Sequence, residues 1–307
     1  MKRLCKGDCI GVCSTSSPTN ADDIARLTAY FETWGFQVKV APHTLLDQGY
    51  MAGSARERTE DFNALVADKS VNAIMTANGG TGAIQIIPLL DYQLIHNNPK
   101  IICGLSDPTS VLNAITAKTG VHTFHGPNGY YFGHKTPTPF TELNWWRIVT
   151  GDHDIPYSFP VASEMSILKG ATSVAEGPIM GGNLRSLVYL LGSEYMPSLD
   201  NCILFIEEIG MQIHNIEALL NQLIMSHSLQ NIAALIIGQL VDCVETDYNA
   251  RDSWQEMVLR TFEGYEFPIV SNIPLGHTND KITIPLGCIV HVDISRTCIQ
   301  LLESPFE

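Results

Sequence analysis

Long hydrophobic runs are missing from this sequence of 307 residues. The longest apolar stretches, such as residues 233–240, fall far short of the roughly 20 residues that a helix needs to cross a bilayer. Near the N-terminus, Lys6, Gly7 and Asp8 interrupt the apolar residues within a few positions, which argues against a signal peptide. We therefore expect a cytoplasmic protein without membrane contact.

The usual spacings of metal ligands are missing as well. Neither C-x-x-C nor H-E-x-x-H occurs, and among the histidines only His122 and His125 stand near each other. Several of the eight cysteines lie within or beside apolar runs, as buried thiols do in a reducing compartment: Cys9, Cys13, Cys103, Cys202 and Cys288. We expect no metal site, no cofactor and no disulfide framework.

Positive charge is scarce: the sequence has 18 Lys and Arg residues against 32 Asp and Glu residues, which gives a net charge of −14. A charge of this sign repels polyphosphates and anionic lipids, and the sequence contains no local basic patch. Nucleic acid is therefore not an expected partner. The hydrophobic content of 45% and charged content of 16% are those of an ordinary globular protein.

The chain is long for one hydrophobic core, and roughly 150 residues per domain suggests two domains. Residues 1–150 alternate between strand and helix patterns, which predicts a doubly wound, mostly parallel sheet. Residues 151–172 lack periodicity and predict a linker, and residues 173–307 predict a second α/β or β-rich domain. We expect the active site in the cleft between the domains.

The first domain is predicted to contain strands at 9–14, 36–41, 71–77 and 101–105. Its predicted helices begin near Thr19 with a capping box to Asp22, near Ser54, before Ile84 and at Pro108. The second domain is predicted to contain strands at 202–207, 233–240, 269–273 and 288–292, and helices near 215–225 and 253–262.

Ser106 stands directly between the apolar strand 101–105 and a helix that opens with Asp107 and Pro108. A serine at such a corner exposes its hydroxyl beside the positive end of the helix dipole, as nucleophilic serines do. Serine is also a common helix N-cap, and proline is favoured at the first helical position. The local sequence leaves both roles open, and caps are the more common of the two.

The turn at residues 78–82, Asn-Gly-Gly-Thr-Gly, also follows a strand and precedes a helix pattern. Its backbone N–H groups are suited to hold a phosphate or a tetrahedral oxyanion. The turn is not G-x-G-x-x-G and lacks the lysine of a P-loop, so nucleotide binding has little support. A plain tight turn explains the glycines equally well.

Two carboxylates and two histidines are candidates for acid–base chemistry. Glu207 and Glu208 end an apolar strand and point to opposite faces of it, so at most one of them belongs to a given site. The local sequence favours the simpler interpretation that both are solvated acids marking the end of the strand. His277 stands in a loop between two strand-like segments, and His125 is a rival base. Sequence spacing does not choose between these histidines.

Taken together, these segments resemble the LD-carboxypeptidase family of serine peptidases, which includes murein tetrapeptide carboxypeptidases and microcin-immunity peptidases. The resemblance runs over nearly the whole chain. An ordered set of motifs carries it, at residues 6–10, 57–58, 79–82, 88–91, 104–109, 125–127, 181–184, 204–207, 276–277 and 284–287.

The resemblance implies a catalytic triad in the order nucleophile Ser106, orienting carboxylate Glu207 and general base His277. It also implies an oxyanion hole formed by the backbone N–H groups of Gly80 and Asp107. Further residues of the shared motifs are expected to contact the substrate: Gly79, Thr81, His125 and Asn183.

For function, the resemblance implies hydrolysis of murein tetrapeptide to tripeptide and D-alanine, by a homodimer that takes part in peptidoglycan recycling. Asn78, where many relatives have arginine, is closer to the microcin-immunity branch. That branch acts on peptidyl-nucleotides or aminoacyl-adenylate-like compounds, for which Trp145 or Trp146 is a candidate stacking face. A third hypothesis is a small-ligand binder without catalytic activity.

Overall fold

A computed structural model describes residues 1–161, 165–170, 174–248 and 252–306. The strands in these ranges are β1 (Cys9–Cys13), β2 (Gln37–Val40), β3 (Val71–Thr76), β4 (Ile101–Gly104), β5 (Thr123–His125), β6 (Tyr157–Ser158), β7 (Ser166–Lys169), β8 (Val174–Asn183), β9 (Ile203–Ile209), β10 (Ala234–Val241), β11 (Ile269–Ser271), β12 (Ile284–Leu286), β13 (Ile289–Asp293) and β14 (Cys298–Leu301). The α-helices are α1 (Ala21–Thr33), α2 (Ala55–Ala67), α3 (Tyr92–Asn97), α4 (Thr109–Thr119), α5 (Gly129–Gly133), α6 (Pro139–Thr150), α7 (Leu184–Val188), α8 (Ile213–Met225) and α9 (Trp254–Thr261).

The first sheet has the strand order β12-β5-β4-β3-β1-β2, and its five N-terminal strands run parallel. The chain moves from β1 outward to β2 and then returns to β3 on the other side of β1. In such sheets, ligands bind at the carboxyl ends of the strands, near the point where the order reverses. The predicted mostly parallel sheet is confirmed.

The second sheet has the order β6-β14-β13-β8-β9-β10-β11-β7. Its central strands β8 to β11 are parallel, and antiparallel strands flank them on both sides. Strands β9 and β10 at the centre are largely apolar and are buried along most of their length, as parallel strands covered on both faces require. The prediction of a second α/β domain is confirmed.

One strand of the C-terminal half completes the N-terminal sheet. Strand β12 pairs antiparallel with β5, with Ile284 opposite His125. The segment 151–172, predicted as a linker, contains β6 and β7, which form the two edges of the second sheet. Its residues 162–164 and 171–172 lie outside the described residues. The domain boundaries at 150 and 173 remain a prediction.

Two predicted helix starts are wrong. Helix α1 is capped by Asn20, whose side chain accepts a hydrogen bond from the Asp23 N–H, and the predicted pairing of Thr19 with Asp22 is not formed. Asparagine at residue 20 is as good a cap as threonine, and the later start still buries the apolar face of α1.

The predicted helix through Ile84 is instead two short 3-10 turns, Ala83–Gln85 and Ile87–Leu89. Pro88 within this stretch lacks an N–H and cannot continue an α-helical hydrogen-bond ladder. The helix at Ser54 has the expected capping box with Glu57.

The cysteines are free thiols, and most are buried, as predicted. Within the part of the chain that the structure describes, no helix combines the length and the apolar character needed to span a bilayer.

Candidate active site

Ser106 occupies the corner between β4 and α4 in a left-handed conformation, with φ of 71°. This conformation costs a non-glycine residue roughly 1–2 kcal/mol. Helix α4 is capped by Pro108 without any side-chain hydrogen bond, so Ser106 is not the side-chain cap of this helix. Strained strand-to-helix corners of this kind expose a nucleophilic hydroxyl in other enzymes.

The glycine-rich turn at residues 78–82 packs directly against Ser106. A Cβ atom added to Gly79 would lie 2.7 Å from the Ser106 Cβ and 3.1 Å from its Oγ. Only a residue without a side chain therefore allows this approach at residue 79.

Two buried charged residues hold this turn in place. The Asp107 carboxylate accepts a 2.7 Å hydrogen bond from the Ala83 N–H and so connects the Ser106 corner to the end of the turn. The Arg58 guanidinium, only 1% exposed, donates to the Gly82 carbonyl at 2.9 Å and to the Gln85 side chain at 2.7 Å. Burial raises the pKa of Asp107 and lowers that of Arg58.

The two N–H groups predicted to form an oxyanion hole are those of Gly80 and Asp107. Within the described part of the chain, neither donates a hydrogen bond to a protein acceptor. Both residues belong to the loops that meet at Ser106. Their free N–H groups are therefore available to an anionic oxygen.

Glu207 and His277 form the acid–base pair of the site. The His277 Nδ1 lies 2.7 Å from the Glu207 Oε2, and the Glu207 side chain is 0% exposed. Gly276 makes this contact possible, because its φ is +91° and a Cβ atom there would lie 2.4 Å from the Glu207 Oε2. An ionised carboxylate only accepts, so Nδ1 donates and Nε2 keeps its lone pair.

Burial of Glu207 favours its neutral form, but the neighbouring His277, His125 and Asn183 together outweigh this effect and favour the carboxylate. The pKa of Glu207 therefore lies below its usual value. Glu208 points to the opposite face of β9, where it accepts hydrogen bonds from the Asn183 side chain and the Arg185 N–H. As predicted from strand alternation, only one of the two acids faces His277.

Ser106 and His277 line one cavity of about 240 Å³. The other residues that line it are Asn78, Gly79, Gly80, Leu105, Asn128, Tyr130, Tyr131, Lys135 and Ile209. Among the described residues, the Ser106 hydroxyl makes no hydrogen bond, so it shares this cavity with His277 without a direct bond to the imidazole.

A second cavity, of about 280 Å³, shares Gly80, Ser106 and Ile209 with the first. Its other lining residues are Thr81, Asp107, Asn183, Arg185, Ser186, Tyr189 and Glu208. Two cavities thus meet at Ser106. Three of the four predicted substrate-contact residues line one of these cavities: Gly79, Thr81 and Asn183.

His125 does not fit its predicted contact with the substrate. The residue lies in β5, is 1% exposed and is absent from the lining of both cavities. Its two ring nitrogens are buried without a hydrogen-bond partner in the described part of the chain. Burial lowers the pKa of His125 to about 4, so the ring is neutral near pH 7. His125, which the sequence left open as a rival general base, therefore does not reach the substrate either.

Sequence reasoning missed Lys281 and Tyr131, which support the His277 loop. The Lys281 ammonium lies 3.4 Å from the centre of the Tyr131 ring, and the Tyr131 hydroxyl donates to the His277 carbonyl at 3.4 Å. Lys281 is fully buried, and burial lowers its pKa to about 7. The one feature of the sequence that pointed to Lys281 was its position as a single lysine shortly before the apolar strand β12.

Neither tryptophan of α6 offers a stacking face to a ligand. Trp145 is 1% and Trp146 is 9% exposed. Trp146 stacks on Phe36 at 5.0 Å, and Trp145 packs against Phe132 at 6.0 Å. Both rings belong to the core, which corrects the suggestion that they bind a nucleobase.

The chain is similar to known proteins over nearly its whole length. The LD-carboxypeptidase N-terminal domain matches residues 10–126, and the LD-carboxypeptidase C-terminal domain matches residues 176–292. The microcin C7 self-immunity protein MccF of Escherichia coli is 30% identical over 98% of this chain and 94% of its own. The probable murein peptide carboxypeptidase of Bacillus subtilis (strain 168) is 30% identical over 93% of this chain and 89% of its own.

Among solved structures, MccF in complex with glutamyl sulfamoyl guanosine superimposes with a TM-score of 0.91 at 27% identity, over 100% of this chain and 99% of that one. A muramoyltetrapeptide carboxypeptidase from Oxalobacter formigenes superimposes with a TM-score of 0.83 at 24% identity, over 95% and 97%, and shows the shared fold. Because both domain families match in order and the relatives align over nearly their full lengths, the chain belongs to the LD-carboxypeptidase family of peptidases.

Proposed function

We propose that this peptidase is a serine carboxypeptidase that hydrolyses the L,D-peptide bond of murein tetrapeptide and releases D-alanine, in the cytoplasm and as a homodimer. The observation that carries this proposal is the buried Glu207–His277 pair, which shares a cavity with the strained Ser106. A nucleophile, a base and an orienting carboxylate are the parts that acyl transfer needs.

In the first half of the reaction, the Ser106 Oγ attacks the carbonyl carbon of the scissile bond. Its proton passes to the Nε2 of His277, and the Glu207 carboxylate stabilises the imidazolium through Nδ1. The oxygen that becomes negative accepts hydrogen bonds from the N–H groups of Gly80 and Asp107. One such donor is worth about 3 kcal/mol in the transition state.

The tetrahedral intermediate then collapses as the C–N bond breaks. His277 returns the proton to the leaving amine of D-alanine, and the tripeptide remains as an ester on Ser106. Water attacks this ester after giving a proton to His277, and the proton is passed on to the Ser106 oxygen as the tripeptide acid leaves. The chain ends in its starting state, with one water consumed.

The two cavities that meet at Ser106 support binding of a peptide that extends in both directions from the scissile bond. An exposed cationic side chain lines each cavity: Lys135 in the first and Arg185 in the second. Murein tetrapeptide carries carboxylates at its terminal D-alanine and along its length, which these cations complement. Gly79, Thr81 and Asn183 remain proposed contacts.

The proposal is tested by incubating the purified protein with murein tetrapeptide and measuring free D-alanine. We expect the unaltered protein to release D-alanine and Ser106→Ala to release none. The same peptide ending in L-alanine should release no L-alanine. Release by both proteins, or by neither, would contradict the proposal. A chelator should leave the rate unchanged, because no step uses a metal.

A second candidate is hydrolysis of aminoacyl-nucleotide-like compounds. The observation that favours it is the high structural similarity to MccF with bound glutamyl sulfamoyl guanosine, together with Asn78 and the Tyr130 ring in the lining of the first cavity. Binding of aminoacyl sulfamoyl nucleosides at micromolar concentration, without D-alanine release from tetrapeptide, would favour this alternative. A binder without catalytic activity predicts that a serine-directed reagent leaves Ser106 unlabelled.

A further inference from the structure

At the edge of the first sheet opposite to the Ser106 corner, three side chains bring one potential metal ligand each to the same point. A ring nitrogen of His122, the sulfur of Cys288 and a carboxylate oxygen of Glu303 all lie within 4.8 Å of one another. No other trio of His, Cys, Asp or Glu residues in the described ranges is as close. We propose that His122, Cys288 and Glu303 form a zinc-binding site.

The hydrogen bonds around these residues suit metal binding. The His122 Nδ1 lies 3.0 Å from the Leu286 carbonyl, an acceptor, so Nδ1 carries the proton and Nε2 has the lone pair. Zinc-bound histidines almost always donate their other nitrogen to a backbone carbonyl or a carboxylate in this way. The Glu303 Oε1 accepts from the Ile289 N–H at 2.8 Å, which orients the carboxylate and leaves Oε2 free.

The kinds of donor atom select the ion. Magnesium and calcium take oxygen ligands almost exclusively, whereas one sulfur, one imidazole nitrogen and one carboxylate oxygen suit zinc. Tetrahedral zinc separates its ligand atoms by roughly 3.5 Å, so the three groups need to approach by about 1 Å or less. Glu303 has a flexible, partly exposed side chain that can make this adjustment.

A fourth ligand is available from solvent. His122 lines a cavity of about 280 Å³ together with His96, Ser304 and Phe306, among other residues. Because His122 lines this cavity, a water molecule bound beside His122 would be the fourth ligand of the ion. Three protein ligands and one water complete a four-coordinate zinc site.

The location separates the proposed zinc site from the cavities at Ser106. His122 precedes β5 of the first sheet, Cys288 lies between β12 and β13, and Glu303 follows β14. None of the three lines either cavity at Ser106. A zinc ion here would join the N-terminal sheet to the C-terminal segment, and it would stabilise the folded state because the unfolded chain does not hold the three ligands together.

The experiment uses the full-length protein after metal removal and titrates it with Zn²⁺ by calorimetry and with Co²⁺ by absorption spectroscopy. We expect one ion per chain, a cobalt–thiolate charge-transfer band, and a melting temperature that rises with Zn²⁺. Glu303→Gln should weaken Zn²⁺ binding at least about tenfold, and Cys288→Ser should remove the cobalt–thiolate band. The matched controls Glu266→Gln and Cys298→Ser should leave both the Zn²⁺ affinity and the cobalt–thiolate band unchanged.

Binding that persists unweakened in Glu303→Gln and Cys288→Ser, or a cobalt band that disappears in Cys298→Ser, would overturn the proposal. So would an unaltered protein that binds no Zn²⁺. If Cys288→Ser fails to fold, Glu303→Gln decides the question, because its side chain is partly exposed and its loss leaves the core intact. Removal of Zn²⁺ should not change D-alanine release, which keeps this test separate from that of the peptidase activity.

Discussion

The carboxylate of Glu207 and the imidazole of His277 are joined by a hydrogen bond of 2.7 Å across 70 residues of sequence. The carboxylate end of this pair is fully buried, whereas the imidazole is 13% exposed and lines the cavity that also contains Ser106. A hydrogen bond between a buried carboxylate and a partly exposed neutral imidazole holds the imidazole in one orientation and one tautomer. The predictions below follow from this arrangement and from the residues that support it.

Glu207→Gln should lower kcat for D-alanine release by about 10²- to 10⁴-fold and change KM little. The amide cannot stabilise the imidazolium, and its NH₂ group favours the wrong tautomer of His277. Steady-state kinetics with murein tetrapeptide measure the effect, with the exposed Glu263→Gln as control. A kcat within threefold of the unaltered protein would show that Glu207 has no role in the reaction.

Gly79→Ala should reduce kcat about tenfold to a hundredfold, because the new methyl group would lie 2.7 Å from the Ser106 Cβ and displace the nucleophile. The loss of stability should be smaller, about 1–3 kcal/mol, as for other overpacked sites. The kcat for D-alanine release and the free energy of unfolding in denaturant are both measured for each variant. Gly264→Ala, where a Cβ meets no atom within 4 Å, is the matched control and should change neither.

Arg58→Met should destabilise the protein by about 2–4 kcal/mol and slow D-alanine release, because the buried carbonyl of Gly82 and side chain of Gln85 lose their donor. The glycine-rich turn would then be held less firmly against Ser106. Urea unfolding measures the loss of stability, and steady-state kinetics measure the rate of D-alanine release. Arg56→Met, in the same helix but with a side chain 86% exposed, should change little. Equal effects of the two substitutions would disprove the positioning role of Arg58.

Lys281→Met should stabilise the protein most at low pH. The pKa of Lys281 is lowered by burial to about 7 in the folded state, against about 10.4 in an unfolded chain. Below pH 7 both states are protonated and the folded state carries the full cost of a buried charge. Between about pH 7 and 10 the unfolded chain binds more protons, so this cost falls as pH rises.

The stability difference between Lys281→Met and the unaltered protein should therefore be a few kcal/mol at pH 6 and shrink toward pH 10, at roughly 1.4 kcal/mol per pH unit within that window. Denaturant unfolding at several pH values measures it. The exposed Lys69→Met should give no pH-dependent difference. A difference for Lys281→Met that stays constant from pH 6 to 10 would contradict the lowered pKa.

Much of the fold follows from local patterns. The strands near residues 9, 71 and 101 and the helix after Ser54 appear close to their predicted positions, because apolar periodicity and capping residues act over a few positions. The helix predicted through Ile84 did not form, since a proline in its middle outweighed the periodicity. The pairing of β12 with β5 joins residues about 160 positions apart, and no local pattern encodes it.

The features of the site can also be separated into those that follow from local sequence and those that depend on tertiary packing. The sequence by itself determined the corner at Ser106 and the glycine-rich turn, because a strand, a turn and a helix that follow one another must place the turn at the edge of the sheet. Only the tertiary structure decided that His277 and not His125 meets Glu207, that His125 is buried, and that Lys281 lies beneath Tyr131. These relationships depend on how two sheets pack against each other, and packing brings together residues whose separation in the sequence carries no information about their distance in space.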